Sequence, residues 1–306
     1  MDRLTTLDLF VRIVDAGSFA AGAEQLGLSR ALASRAILDL ETRLGTRLLN
    51  RTTRRLSLTE AGAAFHRRAQ RITADVIEAE EEATALHARP RGLLRVNAPM
   101  SFGVLHVAPA LAAYLERYPE VSVDLTLNDR VVDLLEDGYD LAIRIGRLAD
   151  SSLIARRLAP CRILLCAAPS YLAAHGTPTH PSDLARHRCI AYAYGGDRGE
   201  WVLTGPGGEA RIRIGARLQV NNGDAIQAAI REGYGIARQP DFIAAADLAA
   251  GRVAQILPEW HQQDIAVYAV YPPARTLSAK VRSFVDYLVD RFADPPWALP
   301  PLDSAG

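Results

Sequence analysis

The 306-residue sequence predicts an α/β multidomain protein with an N-terminal winged helix-turn-helix, a long linker helix and a two-lobed α/β domain. Three observations support this fold class. Two short helical segments with a glycine between them precede an arginine-rich hairpin, and an unbroken apolar heptad repeat follows. After Pro90, strand and helix patterns alternate, which is typical of α/β layers. With 49% apolar residues, the chain can bury two or three cores.

The predicted helix-turn-helix begins at Ser18. A first short helix is expected over residues 19–26, and Gly27 then interrupts it. Ser29 stands at the N-cap position of a second helix, residues 30–44, which Gly45 ends. The spacing therefore predicts two helices joined by a tight turn.

The second helix divides into two faces on a helical projection. Its apolar face holds Ala33, Ile37, Leu40 and Leu44. Its opposite face holds Ala31, Ser34, Arg35 and Leu38. The apolar face can pack on a preceding helix that contains Phe10, while short and hydrogen-bonding side chains suit base edges in the major groove. The alternative is an ordinary amphipathic helix with a solvated polar face.

The segment after this helix, residues 51–58, predicts a small two-stranded wing that carries three arginines. Guanidinium and hydroxyl groups suit phosphate oxygens, which fix position without reading sequence. A charge run by itself indicates a solvated turn, but its place beside a helix-turn-helix favours phosphate contact. The predicted DNA-binding residues are Ser18, Ser29, Arg30, Ala31, Ser34, Arg35, Leu38, Arg51, Thr53, Arg54 and Arg55.

The charge distribution agrees with this interpretation. The formal net charge is zero, but residues 1–59 hold nine arginines against six acidic side chains. Local charge, rather than net charge, decides phosphate contact. The sequence has no export signal pattern and no apolar run as long as a membrane span, so we expect a cytoplasmic protein without a membrane partner.

A long helix is predicted from about residue 60 to residue 87, ending at the boundary segment 88–92. Its apolar residues alternate in steps of four and three, which is a heptad seam. The seam residues are Phe65, Ala69, Ile72, Val76, Ala79, Ala83 and Leu86. Such a narrow stripe favours a helix that dimerises through this face over one that lies on its own domain.

The alternating strand and helix patterns after Pro90 predict two lobes. The chain is expected to cross between them twice, near Pro160 and near Asp264. Clear strands are expected at residues 93–97, 121–127, 141–145, 162–168, 190–194 and 265–271, and helices at 104–118, 224–232 and 278–292. The predicted domains are residues 1–59, the linker 60–89 and an α/β domain at 90–294. Its lobe 1 takes about 91–160 and 267–294, its lobe 2 about 161–266, and residues 295–306 are expected to be a flexible tail.

The N-terminal pattern resembles the DNA-binding domain of the LysR-type transcriptional regulators. The segments that carry the resemblance are residues 18–23, 28–30, 34–35, 40–41, 44–45, 48–51 and 58–62. Two positions depart from the family pattern. Many members have Gln where this chain has Arg30, which bears on base preference, and Phe where it has Leu49, which bears on core packing.

The second region resembles the effector-binding domain of the same family, whose architecture is that of periplasmic solute-binding proteins. Residues 115–121, 133–146 and 233–236 carry this resemblance. The resemblance implies a transcriptional regulator that binds double-stranded promoter DNA as a homodimer or homotetramer and acts on RNA polymerase indirectly. It also implies a small-molecule effector bound between the lobes.

An effector in such a domain is expected outside the carboxyl ends of the strands. The candidate effector-binding residues are Met100, Ser101, Phe102, Arg144, Gly146, Tyr194, Asn222 and Asp224. Helix starts near Ser101 and Asn222, together with Arg144, favour an organic acid, and Tyr194 favours an aromatic compound. Alternatively, the Ser, Asn and Asp side chains cap helices or hold turns, and Arg144 pairs with Asp140.

Other classes of function receive less support. The sequence lacks the nucleophile elbow, phosphate loop and dinucleotide motifs of common enzymes, and its seven histidines are scattered, so we expect no enzyme, cofactor or metal. Cys161 and Cys166 leave a redox-sensing regulator open as an alternative, although a reactive thiol needs an exposed electropositive setting. A solute-binding protein is disfavoured by the DNA-binding half and the missing export signal.

Overall fold

The computed structural model describes residues 1–51, 56–84, 89–147, 151–194, 199–262, 265–273 and 277–298. The chain forms two compact units, Met1–Ala88 and Arg89–Gly306. Each has its own apolar cores.

The first unit is a winged helix-turn-helix followed by a long helix. Its elements are α1 (Arg3–Asp15), α2 (Phe19–Glu24), α3 (Arg30–Leu44), β1 (Leu49–Arg51), β2 (Leu56–Leu58) and α4 (Glu60–Thr84). β1 and β2 are antiparallel and form the base of the wing. Helix α3 has the predicted bounds, and α2 ends two residues before the predicted position.

Local capping explains where these helices begin and end. The Ser18 and Ser29 hydroxyls accept hydrogen bonds from backbone N–H groups in the first turns of α2 and α3. Gly45 ends α3 in the left-handed conformation, with φ of 66°. Gly22 lets α1 and α2 approach closely, because a β-carbon there would lie 2.6 Å from the Ile13 backbone.

The core of the first unit is built from α1, α2, α3, the wing strands and the start of α4. Its fully buried residues include Leu9, Phe10, Ile13, Ala33, Ile37, Leu40, Leu48 and Ala69. The predicted burial of Leu44 is wrong: it is 42% exposed, because the buried face of α3 ends at Leu40 and Glu41, before the last residue of the helix.

The second unit contains two five-stranded mixed sheets. The lobe 1 sheet has the order β4-β3-β5-β14-β6, from β3 (Gly92–Ala98), β4 (Val121–Leu127), β5 (Leu141–Gly146), β6 (Ile154–Cys161) and β14 (Ile265–Tyr271). The lobe 2 sheet has the order β11-β8-β12-β7-β13, from β7 (Ile163–Ala167), β8 (Cys189–Tyr192), β11 (Leu218–Val220), β12 (Ile236–Pro240) and β13 (Ala254–Gln255). A separate hairpin joins β9 (Glu200–Gly205) to β10 (Gly208–Arg213).

The chain crosses between the lobes close to the predicted places, from β6 into β7 and from β13 back to β14. Asp264 itself lies outside the described residues. The helices are α5 (Met100–Phe102), α6 (Ala108–Arg117), α7 (Leu134–Asp137), α8 (Pro169–His175), α9 (Gly223–Arg231), α10 (Asp241–Ala249) and α11 (Ala279–Arg291). A π-helical turn, Gly103–Val107, joins α5 to α6 without a break.

The prediction of a flexible tail from residue 295 onward is wrong for its first part. Trp297 is only 3% exposed, and its ring lies 5.5 Å from that of Phe102 and 5.4 Å from that of Phe292. The apolar area of this indole fixes the segment on the lobe 1 core. Residues 299–306 lie outside the described part of the chain.

Candidate functional site

Helix α3 presents the outward face that the sequence predicts. Arg30, Ala31, Arg35 and Leu38 are exposed, and Ser34 is half-buried. The buried residues of the same helix hold it on the core, so substitutions on the outward face leave that packing intact. This division is what a recognition helix needs.

Two predicted DNA-binding residues also have a structural role. The Ser18 hydroxyl accepts a hydrogen bond from Ala20 N at 3.2 Å, and the Ser29 hydroxyl accepts one from Leu32 N at 3.2 Å. Each hydroxyl acts as an acceptor in this bond, so its proton is not used by the cap. Arg51 ends β1, whereas Thr53, Arg54 and Arg55 fall outside the described residues.

A residue without a predicted site role connects the recognition helix to the wing. Glu41 is 8% exposed, and its carboxylate accepts hydrogen bonds from Leu48 N at 2.8 Å and Leu49 N at 3.0 Å. The sequence contains a signal for this role, because Glu41 follows Leu40 and lies beside the apolar face of α3. Apolar periodicity alone does not identify a buried carboxylate.

The predicted dimerisation residues differ in burial along the linker helix α4. The expectation for Ala69 is wrong, because this residue is 1% exposed. Phe65 is half-buried and its ring packs 5.4 Å from that of Phe10, so its part in the seam stays a prediction. Both join the core of the first unit because α1 lies against this part of α4. Ile72 is 38% exposed and Val76 is half-buried. The side chains of Ala79 and Ala83, and all of Leu86, are outside the described residues.

In the second unit, a cleft of about 520 Å³ is lined by residues from both lobes. Five of the predicted effector-binding residues line it, namely Ser101, Phe102, Arg144, Gly146 and Tyr194. Phe102 is fully buried against Phe242, and Tyr194 is 45% exposed and packs edge-to-face on Tyr192. The cleft therefore combines an apolar floor with aromatic and polar side chains, as small-molecule sites do.

Met100, Asn222 and Asp224 are placed differently from the other five. They line a neighbouring, more open depression of about 540 Å³, which Tyr194 borders as well. The structure thus brings all eight predicted residues to one region but divides them between two hollows.

Arg144 supplies positive charge to the cleft. Its guanidinium donates to Asn97 Oδ1 at 2.9 Å and to the Val132 carbonyl oxygen at 3.2 Å. Partial burial lowers the pKa of Arg144, yet a guanidinium stays protonated. In the part of the chain that the structure describes, no carboxylate forms an ion pair with Arg144.

Asp140, the alternative partner predicted for Arg144, binds other groups. Asp140 lies 3.3 Å from Lys280 Nζ and accepts a hydrogen bond from Arg95 N at 2.8 Å. The proposed pairing of Arg144 with Asp140 is therefore wrong. Arg144 is left as a cation that an anion in the cleft can neutralise.

The two helix starts near the cleft are not open as predicted but capped by side chains of the chain. Asp129 Oδ1 accepts a hydrogen bond from Met100 N at 2.9 Å, so a carboxylate of the chain already caps that helix start. Asn222 Oδ1 caps α9 by accepting from Ala225 N at 3.0 Å. Capping groups occupy donors that an anion would otherwise use. The case for an anionic effector therefore depends on the cleft arginines.

Three buried polar atoms facing the cleft were not all foreseen from the sequence. Ser101 Oγ, Asn128 Oδ1 and Gln239 Oε1 are buried and, among the described residues, have no hydrogen-bond partner. Ser101 was predicted, whereas Asn128 and Gln239 carry no recognisable motif. Buried polar atoms without a partner are rare, so these three make the cleft a candidate site for a hydrogen-bonding ligand.

The cysteines are poor candidates for redox sensing. Cys161, Cys166 and Cys189 are free and at most 2% exposed. Burial raises the pKa of the Cys166 and Cys189 thiols to about 12 and that of Cys161 further. Protonated, inaccessible thiols react slowly with oxidants.

The described residues hold no group of three or more His, Cys, Asp or Glu side chains suited to a metal ion. None of their helices is long and apolar enough to cross a membrane.

Comparison with known proteins agrees with both halves of the structure. The family described as bacterial regulatory helix-turn-helix protein, lysR family, matches residues 4–63, and the LysR substrate binding domain matches residues 87–293. An HTH-type transcriptional regulator of Xanthomonas campestris is 39% identical over 287 residues, which cover 92% of this chain and 83% of that protein.

A second relative is similar in both sequence and structure. The transcriptional regulator CrgA of Neisseria meningitidis serogroup C is 38% identical over 290 residues, covering 94% of this chain and 96% of that protein. The solved structure of CrgA, described as a LysR-type transcriptional regulator, superimposes with a TM-score of 0.62 at 35% identity, covering 96% of this chain and 100% of that one. These relatives are transcriptional regulators, which agrees with the prediction that the chain is not an enzyme.

Proposed function

Because this chain belongs to the LysR family of bacterial DNA-binding transcriptional regulators, we propose that an organic acid or aromatic compound in the interlobe cleft controls its activity. The observation that carries the proposal is Arg144, a partly buried cation on the cleft wall whose protein partners, Asn97 and Val132, are neutral oxygens. An anion there would gain a charge-assisted hydrogen bond.

For DNA binding, we propose that α3 reads base edges and that the wing contacts phosphates. The unit of function is a dimer or tetramer in which residues 1–59 bind DNA, 60–89 link and dimerise, and 90–294 bind the effector. The effector shifts a pre-existing equilibrium between two arrangements of the oligomer, and it does so only through unequal affinity for them. The consequence for RNA polymerase is indirect, and the protein acts in the cytoplasm.

The DNA-binding part is tested with a promoter fragment selected from random-sequence DNA. Ser34→Ala and Arg35→Ala should lose specific binding in a mobility-shift titration, while Arg43→Ala, an exposed arginine in the last turn of the same helix, should not. Arg54→Ala should weaken binding to all sequences and lower the salt slope by about one. If both α3 variants bound the promoter fragment with wild-type affinity, α3 would not be the helix that reads the bases.

The effector part is tested by a panel of small organic acids, with thermal stability as the measurement. Arg144→Gln should lose the stabilisation that an acid gives the wild type, because it removes the charge but keeps a hydrogen-bonding group. Arg213→Gln, an exposed change on β10, is the control. If an acid stabilised the wild type, Arg144→Gln and Arg213→Gln equally, the anion site would lie elsewhere. Without effector, all three proteins should bind DNA equally.

A further inference from the structure

A chain of hydrogen bonds runs from the surface of lobe 2 to the cleft. It starts at Asp247, which is 4% exposed and lies 2.6 Å from Arg252 Nε and 3.3 Å from Arg231 Nε. Burial alone would raise the pKa of Asp247, but hydrogen bonds from Gln227 and Arg252 and the nearby guanidinium groups hold it below its ordinary value. Asp247 is therefore a carboxylate that can only accept hydrogen bonds.

This carboxylate fixes the orientation of two buried amides. Gln227 must direct its Nε2 to Asp247 Oδ2, at 2.6 Å, so its Oε1 is left as an acceptor. Gln239 must then direct its own Nε2 to Gln227 Oε1, at 2.9 Å, and the same Nε2 donates to the Gly223 carbonyl oxygen at 2.8 Å. Both protons of the Gln239 amide are thus in use, and a flipped amide would place two acceptors against each other.

Gln239 lines the cleft, and the remaining atom of this chain of hydrogen bonds, its Oε1, is an obligatory acceptor. Gln239 is 1% exposed, and Oε1 has no partner among the described residues. Ser101 Oγ, from the other lobe, is in the same situation. Both oxygens lie beside Gly223, which also lines the cleft: a β-carbon there would lie 3.3 Å from Ser101 Oγ, 3.8 Å from Gln239 Oε1 and 2.4 Å from Ile243 Cδ1.

We propose that the effector is an organic acid that also carries a hydroxyl group, and that Gln239 selects for this hydroxyl by accepting its proton. The inference rests on the proposed effector site and names the class of ligand that the site takes. The hydroxyl donates to Gln239 Oε1 while its oxygen accepts from Ser101 Oγ, which satisfies both buried oxygens. The carboxylate of the effector neutralises Arg144.

The charges around the cleft favour a hydroxyl over an ammonium group as the donor. Arg144 and Arg238 line the cleft from the two lobes, and both would repel a second cation. Asp129 is the one carboxylate among the described lining residues, against four arginines, Arg130, Arg144, Arg147 and Arg238. A neutral donor avoids the repulsion and still fills the acceptor.

The test uses matched pairs of acids that differ by one hydroxyl group: benzoate against the three hydroxybenzoates, and butyrate against the three hydroxybutyrates. Affinities for the full-length protein are measured by titration calorimetry. In at least one pair, the hydroxylated acid should bind roughly tenfold more tightly than its parent, which corresponds to one buried hydrogen bond to an otherwise unpaired acceptor.

Two substitutions test the role of the amide chain. Gln239→Met keeps the length of the side chain but removes the acceptor, so the affinity ratio within the pair should fall to about one. Asp247→Asn lies away from the cleft; it removes the charge that pairs with Arg252 and Arg231, and its amide can accept from or donate to Gln227, so the amide orientation is no longer fixed and the same ratio should fall. Asp183→Asn, which changes an Asp–Arg pair on the surface 3₁₀ turn Pro181–Arg186, is the matched control and should keep the wild-type ratio.

The outcomes separate this inference from the proposed function. Parent and hydroxylated acids that bind equally, or a ratio that survives Gln239→Met, would overturn selection by Gln239 while leaving an acid site that Arg144→Gln weakens. If none of the acids bound the wild type, both this inference and the acid effector would be overturned. Circular dichroism of each variant establishes that it is folded before its ratio is interpreted.

Discussion

The carboxylate of Glu41 in helix α3 accepts a 2.8 Å hydrogen bond from the backbone N–H of Leu48, at the entrance to the wing. A second bond from Leu49 N, at 3.0 Å, reaches the same oxygen. All these groups are buried, so the carboxylate satisfies two N–H groups that water cannot reach. The pair fixes the first wing strand relative to α3.

Glu41→Ala should therefore destabilise the first unit and weaken DNA binding together. Leaving buried N–H groups without an acceptor costs about 1–3 kcal/mol each, and the wing loses its fixed position. Thermal unfolding and mobility-shift titration measure the two effects. Glu24→Ala, at an exposed glutamate of α2, is the control, and an equally small effect in both variants would contradict the role of Glu41.

Assembly provides a second prediction. With Phe65 and Ala69 in the core of the first unit, the exposed part of the seam starts at Ile72. Ile72→Glu combined with Val76→Glu should dissociate the dimer, because like charges would face each other across the helix pair. Sedimentation velocity measures this. Ala64→Glu adds a charge on an exposed position of α4 outside the seam, and dissociation by this control alone would contradict the assignment.

The C-terminal segment provides a third prediction. Trp297 packs on Phe102, which lines the cleft, and its ring centroid lies 4.2 Å from that of His106. Trp297→Ala should cost about 3–5 kcal/mol of unfolding free energy in the second unit, as other buried large-to-small changes do. Urea unfolding measures the loss. Truncation after Ala298 keeps this contact and should have little effect; equal losses from both changes would contradict the prediction.

His106 gives a pH dependence with a definite sign. Burial lowers the pKa of His106 below its ordinary value of 6.5, and the Phe242 carbonyl only partly offsets this. Below that value the unfolded chain takes up a proton that the folded protein resists, so stability falls as the pH drops from 6.5 toward the folded pKa. Above 6.5 the group is neutral in both states and has no effect.

His106→Gln should remove this part of the pH dependence. The wild type should lose more unfolding free energy than the variant between about pH 7.5 and about pH 5.5. Urea unfolding at both pH values gives the difference. His261→Gln, at an exposed histidine, controls for the loss of any histidine. If His106→Gln lost as much unfolding free energy as the wild type, His106 would not be the source of this pH dependence.

A fifth prediction concerns the buried thiols and tests the alternative that the protein is a redox-sensing regulator. Since burial raises the pKa of all three cysteines, they should be protonated near neutral pH and should not react with a disulfide reagent until the protein unfolds. Thiol titration with and without denaturant measures this. The double change Cys161→Ala and Cys166→Ala should leave DNA binding insensitive to peroxide, as in the wild type. Rapid reaction of the native protein would reopen redox sensing.

Elements with strong local signals could be predicted from the sequence alone. The bounds of α3, β4 and β14 agree with the structure residue for residue, because capping and apolar periodicity act within each segment. The order of the segments in the first unit also identified the family. Strand β12 was not predicted, because what stabilises it is pairing with the distant strands β7 and β8. The β9–β10 hairpin was not predicted either, although its pairing is local.

The sequence by itself determined the recognition helix, the wing and the two-lobed domain, because each depends on local propensity and on the spacing of apolar residues. Only the tertiary structure decided which residues of the linker helix pack on the first unit, that Trp297 is buried, and that Gln239 and Ser101 both lie beside Gly223. Those relationships join residues far apart in the chain. Their energies come from burial and from hydrogen bonds whose partners cannot be identified until the lobes are packed.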